Sequence, residues 1–410
     1  MGERPEDVGL SGERLARIDR HLQENYIEPG KIAGAVMLVA RHGQVAHLSA
    51  LGTRDRERKH AMTEDTIFRF YSMTKPITSV ALMMLVEEAR CALLDPVHRY
   101  IPSWEGLRVF RHGAWPNFVT DPPQRPMTIR DLLTHTAGLT YGFMLRDAVD
   151  AAYRKLGISG EAPSGPKPAT LREMVDKLAG VPLIFSPGTR WNYSVATDVA
   201  GYLVELISGQ PFDAFLRARI FEPLGMRDTA FSVPAGAGER LAASYGRAPD
   251  GTLRLDDDPL TSPYLTPPTF LSGGGGLVST AEDYRRFCQM LLNGGEHGGA
   301  RLISRKTIEL MTRNHLPGGS DLAPLTTGSF SESTYDGVGF GLGFAVCIDP
   351  AKRGLHGSQG EYYWGGAAST AFWIDPAEDM AVIMLTQLMP SSTYPIRREL
   401  RVLTYQAIVD

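Results

Sequence analysis

A serine and a lysine stand three positions apart at the start of a long apolar segment, in the stretch FRFYSMTKPITSVALMMLVEEA. Ser72 precedes Lys75, and Pro76 follows at once. Proline is tolerated in the first turn of a helix but not in its interior, so Pro76 predicts a helix that begins near Ser72. Residues three apart share a helix face, which places the hydroxyl beside the amine. The pattern predicts a nucleophilic serine with an adjacent lysine base.

The surroundings of this predicted helix favour the same chemistry. The residues after Pro76 are apolar on all sides, which is typical of a buried helix. Burial and the positive end of the helix dipole both lower the pKa of an amine, so we expect Lys75 to act as a neutral base near pH 7. The free N–H groups at a helix start make the amide of Ser72 a candidate donor to an oxyanion.

The Ser-x-x-K spacing alone is weak evidence for a catalytic pair, because a surface serine beside a lysine with a solvated amine would show the same spacing. The spacing also occurs a second time, as Ser164 and Lys167, in a loop rich in Gly and Pro at 158–170. No predicted helix aligns that second pair, so we reject it.

A tyrosine could complete the proton path, because a phenol beside a protonated lysine has a lowered pKa and can accept the serine proton. Tyr193 lies in PGTRWNYSVATDVAGY, just before a predicted helix that Ser194 can cap. Spacing alone does not exclude four competing tyrosines, namely Tyr71, Tyr141, Tyr362 and Tyr363.

Two histidines are also candidates for the site. For His135 we favour a structural role, whereas His356 fits a place near the pocket as well as one outside it.

Both ends of the chain carry strand signals. IAGAVMLVA and VAHLSALG surround a Gly-containing turn, and ASTAFWI and MAVIMLTQ surround an Asp-Pro turn, so each pair predicts a hairpin. Helical periodicity follows Ser11 and recurs in YPIRRELRVLTYQAIV. We predict an α/β (α+β) fold with an antiparallel sheet built from both ends, flanked by the terminal helices. The predicted domains are residues 1–80 with 270–410, and a mostly helical domain at 81–269.

Composition excludes several classes of function. The 410 residues carry a net charge of −4, which gives no basic surface for nucleic acid. Cys91, Cys288 and Cys347 are far apart and show neither metal spacing nor a disulfide framework. The first residues are too charged for a signal peptide, and the apolar stretches are too short to span a bilayer, so we expect a cytoplasmic protein without a membrane partner.

Other familiar motifs are missing or incomplete. There is no G-x-S-x-G and no H-E-x-x-H, and GVGFGLGF is not a dinucleotide-binding pattern. We interpret the four glycines at 273–276 as a source of backbone freedom. The sequence therefore predicts no cofactor and no metal, and it leaves the oligomeric state open.

Three motifs in order, SMTK, YSV and WGG, resemble the signatures of the serine β-lactamase and penicillin-binding-protein superfamily. Stretches such as MTIRDLLTHTAGL and SGGGGLVSTAEDY extend the resemblance along nearly the whole chain, most closely to the family VIII carboxylesterases. The resemblance implies a β-lactamase/transpeptidase-like fold. It also implies that Ser72 is the acylated nucleophile, that Lys75 is its partner base and that Tyr193 is the general base.

The resemblance further implies the residues around the pocket. Trp364, Gly365 and Gly366 would replace the Lys-Thr-Gly strand of the lactamases. Ala367 would supply the second oxyanion-hole amide, opposite that of Ser72.

Two departures from the lactamase pattern bear on the substrate. Val195 stands where Tyr-x-Asn has its asparagine, and Trp364 replaces the lysine of Lys-Thr-Gly. A site without these groups should bind anionic β-lactams and D-Ala-D-Ala peptides poorly and favour neutral esters beside an aromatic wall.

We therefore predict a serine carboxylesterase that hydrolyses short-chain acyl or aryl esters through an acyl-enzyme. The alternatives are an acyltransferase of the same fold, a weak β-lactamase or D-aminoacyl peptidase, and a catalytically silent binding protein. The presence of Ser72, Lys75 and Tyr193 together argues against the last.

Overall fold

The computed structural model describes residues 4–158, 168–326 and 335–410. The rejected pair Ser164 and Lys167 lies outside the described residues. The strands are β1 (Gly34–Arg41), β2 (Gln44–Asp55), β3 (His60–Ala61), β4 (Phe68–Arg69), β5 (Val109–Ala114), β6 (Asn117–Asp121), β7 (Ser244–Arg247), β8 (Leu253–Asp257), β9 (Val278–Ser279), β10 (Glu296–His297), β11 (Ala300–Arg301), β12 (Val338–Phe340), β13 (Ala345–Cys347), β14 (Tyr362–Gly365), β15 (Ala371–Asp375), β16 (Met380–Leu385) and β17 (Leu388–Met389).

The α-helices are spread along the whole chain, and several are single turns. They are α1 (Gly12–Leu22), α2 (Thr74–Glu87), α3 (Ile129–Leu133), α4 (Ala148–Leu156), α5 (Leu171–Leu178), α6 (Ala196–Ser208), α7 (Phe212–Leu216), α8 (Glu222–Leu224), α9 (Ala281–Leu292), α10 (Arg305–Met311), α11 (Pro350–Arg353) and α12 (Ile396–Tyr405).

An eight-stranded antiparallel sheet joins the two ends of the chain. Its strand order is β12-β13-β14-β15-β16-β1-β2-β3. The predicted hairpins are β1–β2 and β15–β16, and β1 pairs directly with β16, with Val36 opposite Leu385. The prediction that both ends build one antiparallel sheet is therefore confirmed.

The central strands are buried on both faces, which explains their continuous apolar runs. Alternate side chains of a strand point to opposite faces, so β1 and β16 feed two different cores. Leu38 and Ile383 enter a large core shared with α2, α6 and α9. Met37 and Val382 enter a smaller core on the opposite face. The sheet is thus the middle layer between two layers of helices.

The terminal helices form one of these layers. The Ser11 hydroxyl accepts a hydrogen bond from the Arg14 N–H and caps α1, as predicted. The side chains that α1 and α12 bury belong to the smaller core, and they include Leu15, Ile18 and Leu400. The predicted flanking of the sheet by both terminal helices is confirmed.

The segment 81–269 contains most of the remaining helices, together with the hairpins β5–β6 and β7–β8. Its helix α6 packs against α2, and Leu203 of α6 belongs to the same core as Leu38 of the sheet. The division into domains at residues 81 and 270 stays a prediction. Among the described residues, no helix is long and apolar enough to cross a membrane.

Candidate active site

Ser72 lies in a single 3₁₀ turn, Tyr71–Met73, that leads directly into α2. The residue before the serine, Tyr71, has a φ of 44°, in the left-handed region that non-glycine residues rarely adopt. The Phe70 N–H donates to the Leu277 carbonyl at 2.9 Å and holds the start of the turn. The serine therefore sits at the helix start that the sequence predicts, on a constrained backbone.

Lys75 and Tyr193 both contact the hydroxyl of Ser72. Tyr193 Oη donates to Ser72 Oγ at 2.5 Å, and Lys75 Nζ donates to the same oxygen at 3.2 Å. Lys75 Nζ also lies 4.4 Å from the centre of the Tyr193 ring. The structure thus brings together all three residues that the motifs select, although Tyr193 is 121 positions away from Ser72 along the chain.

Lys75 is held as an amine with little access to water. Lys75 is only 3% exposed, and its Nζ donates to the Gly274 carbonyl at 2.7 Å. Burial lowers the pKa of Lys75 to about 7, and the nearby charge of Asp198 opposes that shift. The predicted direction is confirmed, and burial is its main cause.

Asp198 is a site residue that the sequence analysis missed. Its carboxylate is buried, and Oδ1 accepts hydrogen bonds from the Ser272 hydroxyl at 2.6 Å and from the Gly274 N–H at 2.9 Å. Burial raises the pKa of Asp198, while the Lys75 charge and these hydrogen bonds oppose the rise. An acidic residue in the first turn of a helix usually complements the helix dipole, so its position carried no distinct signal.

The pKa of Tyr193 differs from the prediction. Burial raises it, and the hydrogen bonds with Ser72 and Trp364 offset that rise only in part. The expectation that Lys75 leaves a phenol with a lowered pKa is therefore wrong for this site. The physical reason is that burial of the phenol disfavours the charged phenolate more than the surrounding donors favour it.

The loop before α6 differs from the prediction in one detail. The N-cap of α6 is Val195, and Ser194 lies one residue earlier. Ser194 Oγ accepts from the Ala196 N–H at 3.3 Å and lies 3.1 Å from His135 Nδ1. Ser194 therefore bonds the first N–H of α6 from one position before the N-cap, and it also ties the loop to His135.

The two candidate histidines, His135 and His356, lie in different surroundings. His135 is buried, its ring centre lies 4.9 Å from that of Tyr193, and burial holds its pKa well below the usual value. Its contacts fit the structural role that we favoured. The position of His356 was left open, and in the structure its side chain is exposed and does not line the cavity, although its neighbour Leu355 does.

The four glycines at 273–276 serve close packing. None of them has a positive φ. A Cβ on Gly273 would lie 2.7 Å from the Thr197 carbonyl, and one on Gly274 would lie 2.5 Å from Asp198 Oδ2. The interpretation as backbone freedom is therefore wrong, because these residues let the loop approach the helix that carries Asp198.

The Trp-Gly-Gly segment brings the edge of β14 against the serine turn. Trp364 Nε1 donates to Tyr193 Oη at 3.4 Å. A Cβ on Gly366 would lie 2.4 Å from the Phe70 carbonyl oxygen, so only glycine allows this approach. The close contact places Ala367 and Ser72 on the wall of one cavity.

A cavity of about 960 Å³ opens beside Ser72. Three of the competing tyrosines, Tyr71, Tyr141 and Tyr363, also line it, and Tyr362 is buried elsewhere. Val195 is buried in the core and does not reach the cavity. The walls are largely apolar, and Arg353, Arg397, Arg398 and Arg401 line the cavity as well. The aromatic side chains among them include Tyr71, Tyr141, Phe143, Phe231, Tyr264, Phe270, Tyr363 and Trp364.

Arg397 of α12 is a second residue that the sequence analysis missed. Its guanidinium reaches the cavity wall and donates to the carbonyl oxygens of Gly366 and Thr370. The arginine pair at the start of α12 looked like the polar face of an amphipathic helix, so the pattern gave no reason to single it out.

An antiparallel sheet between two helical layers, with Ser-x-x-Lys at the start of a buried helix, defines the β-lactamase/transpeptidase-like fold. The family model described as Beta-lactamase matches residues 18–406, and the chain belongs to that family. The predicted fold class is thereby confirmed.

Comparison with individual proteins agrees with this assignment. The chain is 38% identical over 366 residues to Protein Rv1367c of Mycobacterium tuberculosis, covering 88% of each chain. It is 32% identical over 393 residues to Esterase EstB of Burkholderia gladioli, covering 92% of this chain and 91% of EstB. The solved structure of EstCE1, described as a hydrolase with promiscuous acyltransferase activity, matches with a TM-score of 0.79 at 29% identity, over 96% of this chain and 99% of EstCE1.

Proposed function

We propose that this chain is a serine carboxylesterase of the family VIII type, which hydrolyses neutral acyl or aryl esters through an acyl-enzyme. The observation that carries the proposal is the convergence of Lys75 Nζ and Tyr193 Oη on Ser72 Oγ beside a large aromatic cavity. The similarity to Esterase EstB over nearly the whole of both chains supports the same reaction class.

Acylation begins with removal of the Ser72 proton. With a pKa of about 7, Lys75 is partly neutral at physiological pH, and its amine accepts the proton as Ser72 Oγ attacks the ester carbonyl. The Gly274 carbonyl holds the amine in place. Tyr193 stays a neutral phenol and hydrogen-bonds the attacking oxygen, because its pKa is raised.

The negative charge that develops on the carbonyl oxygen requires donors that are already in place. The backbone N–H groups of Ser72 and Ala367 fit this role, because both residues line the cavity and the serine lies in the first turn of a helical segment. Collapse of the tetrahedral intermediate breaks the bond to the alcohol. The leaving oxygen takes up the proton from the Lys75–Tyr193 pair, which titrates as a coupled unit.

Deacylation reverses the roles of the same groups. Water enters where the alcohol was, gives one proton to the Lys75–Tyr193 pair and adds to the acyl carbon. The bond to Ser72 Oγ then breaks, the serine regains the proton, and the carboxylic acid leaves. No group outside the site is needed to balance these steps.

The aromatic part of the cavity wall favours neutral, apolar esters. Trp364, on the cavity wall, takes the place of a lysine. Val195 takes the place of an asparagine, and its side chain is buried in the core. Aromatic walls bind apolar acyl or aryl groups by burying their surface. Hydrolysis of β-lactams and D-aminoacyl peptides is the weaker alternative for the same reasons.

Acyl transfer is a second candidate function. The volume of about 960 Å³ leaves room for an acceptor alcohol beside the acyl group. EstCE1, a structural relative, is described as having promiscuous acyltransferase activity. Competition between water and added alcohols for the acyl-enzyme separates the two, because a transferase forms the new ester in preference to the free acid.

A burst experiment with p-nitrophenyl acetate tests the main proposal. We expect a rapid release of p-nitrophenol equal to the enzyme concentration, followed by slower turnover, wherever deacylation limits the rate. The Ser72→Ala variant should show neither phase. Turnover in that variant at the wild-type rate, or absence of any release by the wild type across a series of ester chain lengths, contradicts the proposal.

A further inference from the structure

One peptide group joins two features of the site. The carbonyl of Gly366 and the N–H of Ala367 belong to the same trans peptide bond, so they point in opposite directions. The N–H is the proposed oxyanion donor. The carbonyl oxygen accepts a hydrogen bond from Arg397 Nη2 at 2.6 Å.

The same arginine atom also donates to the Thr370 carbonyl at 2.8 Å. The two carbonyls enclose the short turn that carries Ala367, because the Gly366 N–H donates back to the Thr370 carbonyl at 2.9 Å. Arg397 therefore binds both ends of the turn and fixes how the peptide between Gly366 and Ala367 is oriented.

A cation on a peptide carbonyl also changes the electronic character of the N–H at its other end. Hydrogen bonds polarise one another along a chain, and bonds from a charged donor are the stronger ones. The guanidinium draws electron density toward the Gly366 oxygen, which makes the Ala367 N–H more positive. The effect is larger in a half-buried setting than in water.

We propose that Arg397 is a positioning residue of the oxyanion hole, which orients and polarises the Gly366–Ala367 peptide from behind. The inference rests on the proposed function. It gives the first glycine of the Trp-Gly-Gly motif a reason as well, because a Cβ on Gly365 would lie 2.8 Å from the guanidinium carbon of Arg397.

The turn has other supports, so loss of Arg397 need not unfold it. The Leu388 N–H donates to the Ala368 carbonyl at 3.1 Å, and the Ser369 hydroxyl donates to the Leu388 carbonyl at 2.7 Å. A variant at residue 397 should therefore keep the strand and the turn but lose the cation behind the peptide.

Arg397 could instead act only through its charge on Tyr193, whose pKa it lowers. Such an effect would shift the pH dependence of the reaction but would not change the carbonyl group of the acyl-enzyme. The vibrational frequency of that carbonyl reports directly on the hydrogen bonds in the oxyanion hole, because stronger bonds lengthen the C=O bond and lower its frequency.

The test compares the wild type with Arg397→Met and Arg397→Lys. We expect Arg397→Met to lower kcat about 10- to 100-fold with KM changed less than about threefold, somewhat less than the loss of a whole oxyanion donor. The Raman carbonyl frequency of the acyl-enzyme formed from p-nitrophenyl cinnamate should rise. Arg397→Lys should be intermediate, because lysine keeps the charge but not the planar fork.

Arg20→Met is the matched control. Arg20 lies on the other terminal helix, α1, its side chain is exposed and it does not line the cavity, so the variant removes one positive charge away from the site. We expect its kcat to stay within about twofold of the wild type, since surface substitutions have small effects.

A folded Arg397→Met protein with wild-type kcat and wild-type carbonyl frequency overturns the proposal, and so does an equal loss in Arg20→Met. If Arg397→Met does not fold, a wild-type carbonyl frequency in Arg397→Lys overturns it. Failure of the wild type itself to form an acyl-enzyme contradicts the proposed function instead.

Discussion

Burial of the Lys75 amine changes what this side chain can do at neutral pH. A solvated lysine is fully protonated at pH 7, but burial lowers the pKa of Lys75 to about 7, so the neutral and charged forms coexist. Asp198 sets a limit on the shift, because its negative charge favours the protonated amine. The proton acceptor of the site is thus adjusted by two opposing effects.

The pH dependence of kcat/KM follows from this balance. Because the protonated amine cannot accept the Ser72 proton, activity should rise with pH through a midpoint near 7. Asp198→Asn removes the charge that raises the pKa of Lys75, so the midpoint should move to lower pH. Asparagine can still accept both hydrogen bonds that reach Oδ1.

Asp213→Asn, at an exposed position on α7, is the control for removing one negative charge. Its pH profile should coincide with that of the wild type. A midpoint that stays in place in Asp198→Asn would separate Asp198 from the proton transfer.

Removal of the Tyr193 hydroxyl should slow the chemical step. Tyr193→Phe keeps the ring that packs on Lys75 and His135 but loses the bond to Ser72 Oγ. We expect kcat to fall by about 10²- to 10⁴-fold, the usual contribution of a group that handles a proton. Tyr362→Phe, a buried tyrosine away from the cavity, should keep near-normal kcat in the same assay.

The Ser-x-x-K spacing at a predicted helix start pointed to Ser72 and Lys75, whereas Tyr193 was favoured over four other tyrosines by its place before a helix and by the resemblance. The sequence did not identify the Gly274 carbonyl that holds Lys75, because every residue has a carbonyl and none is marked in the sequence. Asp198 was missed for a related reason, since its role depends on a loop that is 76 residues away along the chain.

At the scale of elements, glycines determine how closely the segments of the site approach. Gly274 lies against the helix α6, and Gly366 lies against the backbone of the serine turn. In both places a Cβ would collide with a neighbour, so the loop and the strand would have to move apart. The positions of these elements thus depend on residues that have no side chain.

Two adjacent glycines of the loop allow a matched comparison. A Cβ on Gly274 would lie 2.5 Å from Asp198 Oδ2, whereas one on Gly275 would meet its nearest neighbour, Tyr71, at 3.6 Å. Gly274→Ala should therefore lower the free energy of unfolding by about 1–3 kcal/mol, as overpacking does, and reduce kcat/KM. Gly275→Ala should change both quantities less.

Chemical denaturation and steady-state kinetics on the two variants test this expectation. Equal effects of the two substitutions would show that close packing against Asp198 is not what the glycine provides.

The hairpins, the capped first helix and the closing helix could all be predicted, because each has a local pattern of apolar and turn residues. The contacts between elements could not. The central strands gave continuous apolar runs, and only their pairing revealed which side chains face which core.

At the scale of the whole molecule, the buried lysine links activity to stability. The pKa of Lys75 is about 7 in the folded protein, against 10.5 for a solvated lysine. Burying the protonated amine destabilises the folded state, and this cost is fully present below pH 7, where Lys75 is charged in both states. As the pH rises from 7 toward 10.5 the cost declines by about 1.4 kcal/mol for each pH unit.

Lys75→Met should be inactive but less dependent on pH for its stability. We expect the free energy of unfolding of the wild type to rise between pH 7 and pH 9 relative to that of Lys75→Met, so that the two curves converge. Lys155→Met, at an exposed position of α4, should follow the wild type. Parallel curves for the wild type and Lys75→Met would contradict the lowered pKa.

The assembly of the sheet from both ends was predictable, because strand signals at both ends need partners. The cavity was not, since its walls come from segments as distant as Tyr141, Phe270 and Trp364. Only the folded chain brings these side chains together around Ser72.

The most direct test of the account is to find which atom becomes acylated. We would treat the protein with a p-nitrophenyl alkylphosphonate, confirm loss of esterase activity, digest it and map the adduct by mass spectrometry. The account predicts one phosphonyl group per chain, on the peptide that contains Ser72, and none on the Ser72→Ala variant. Loss of activity with the adduct on a different serine would contradict it.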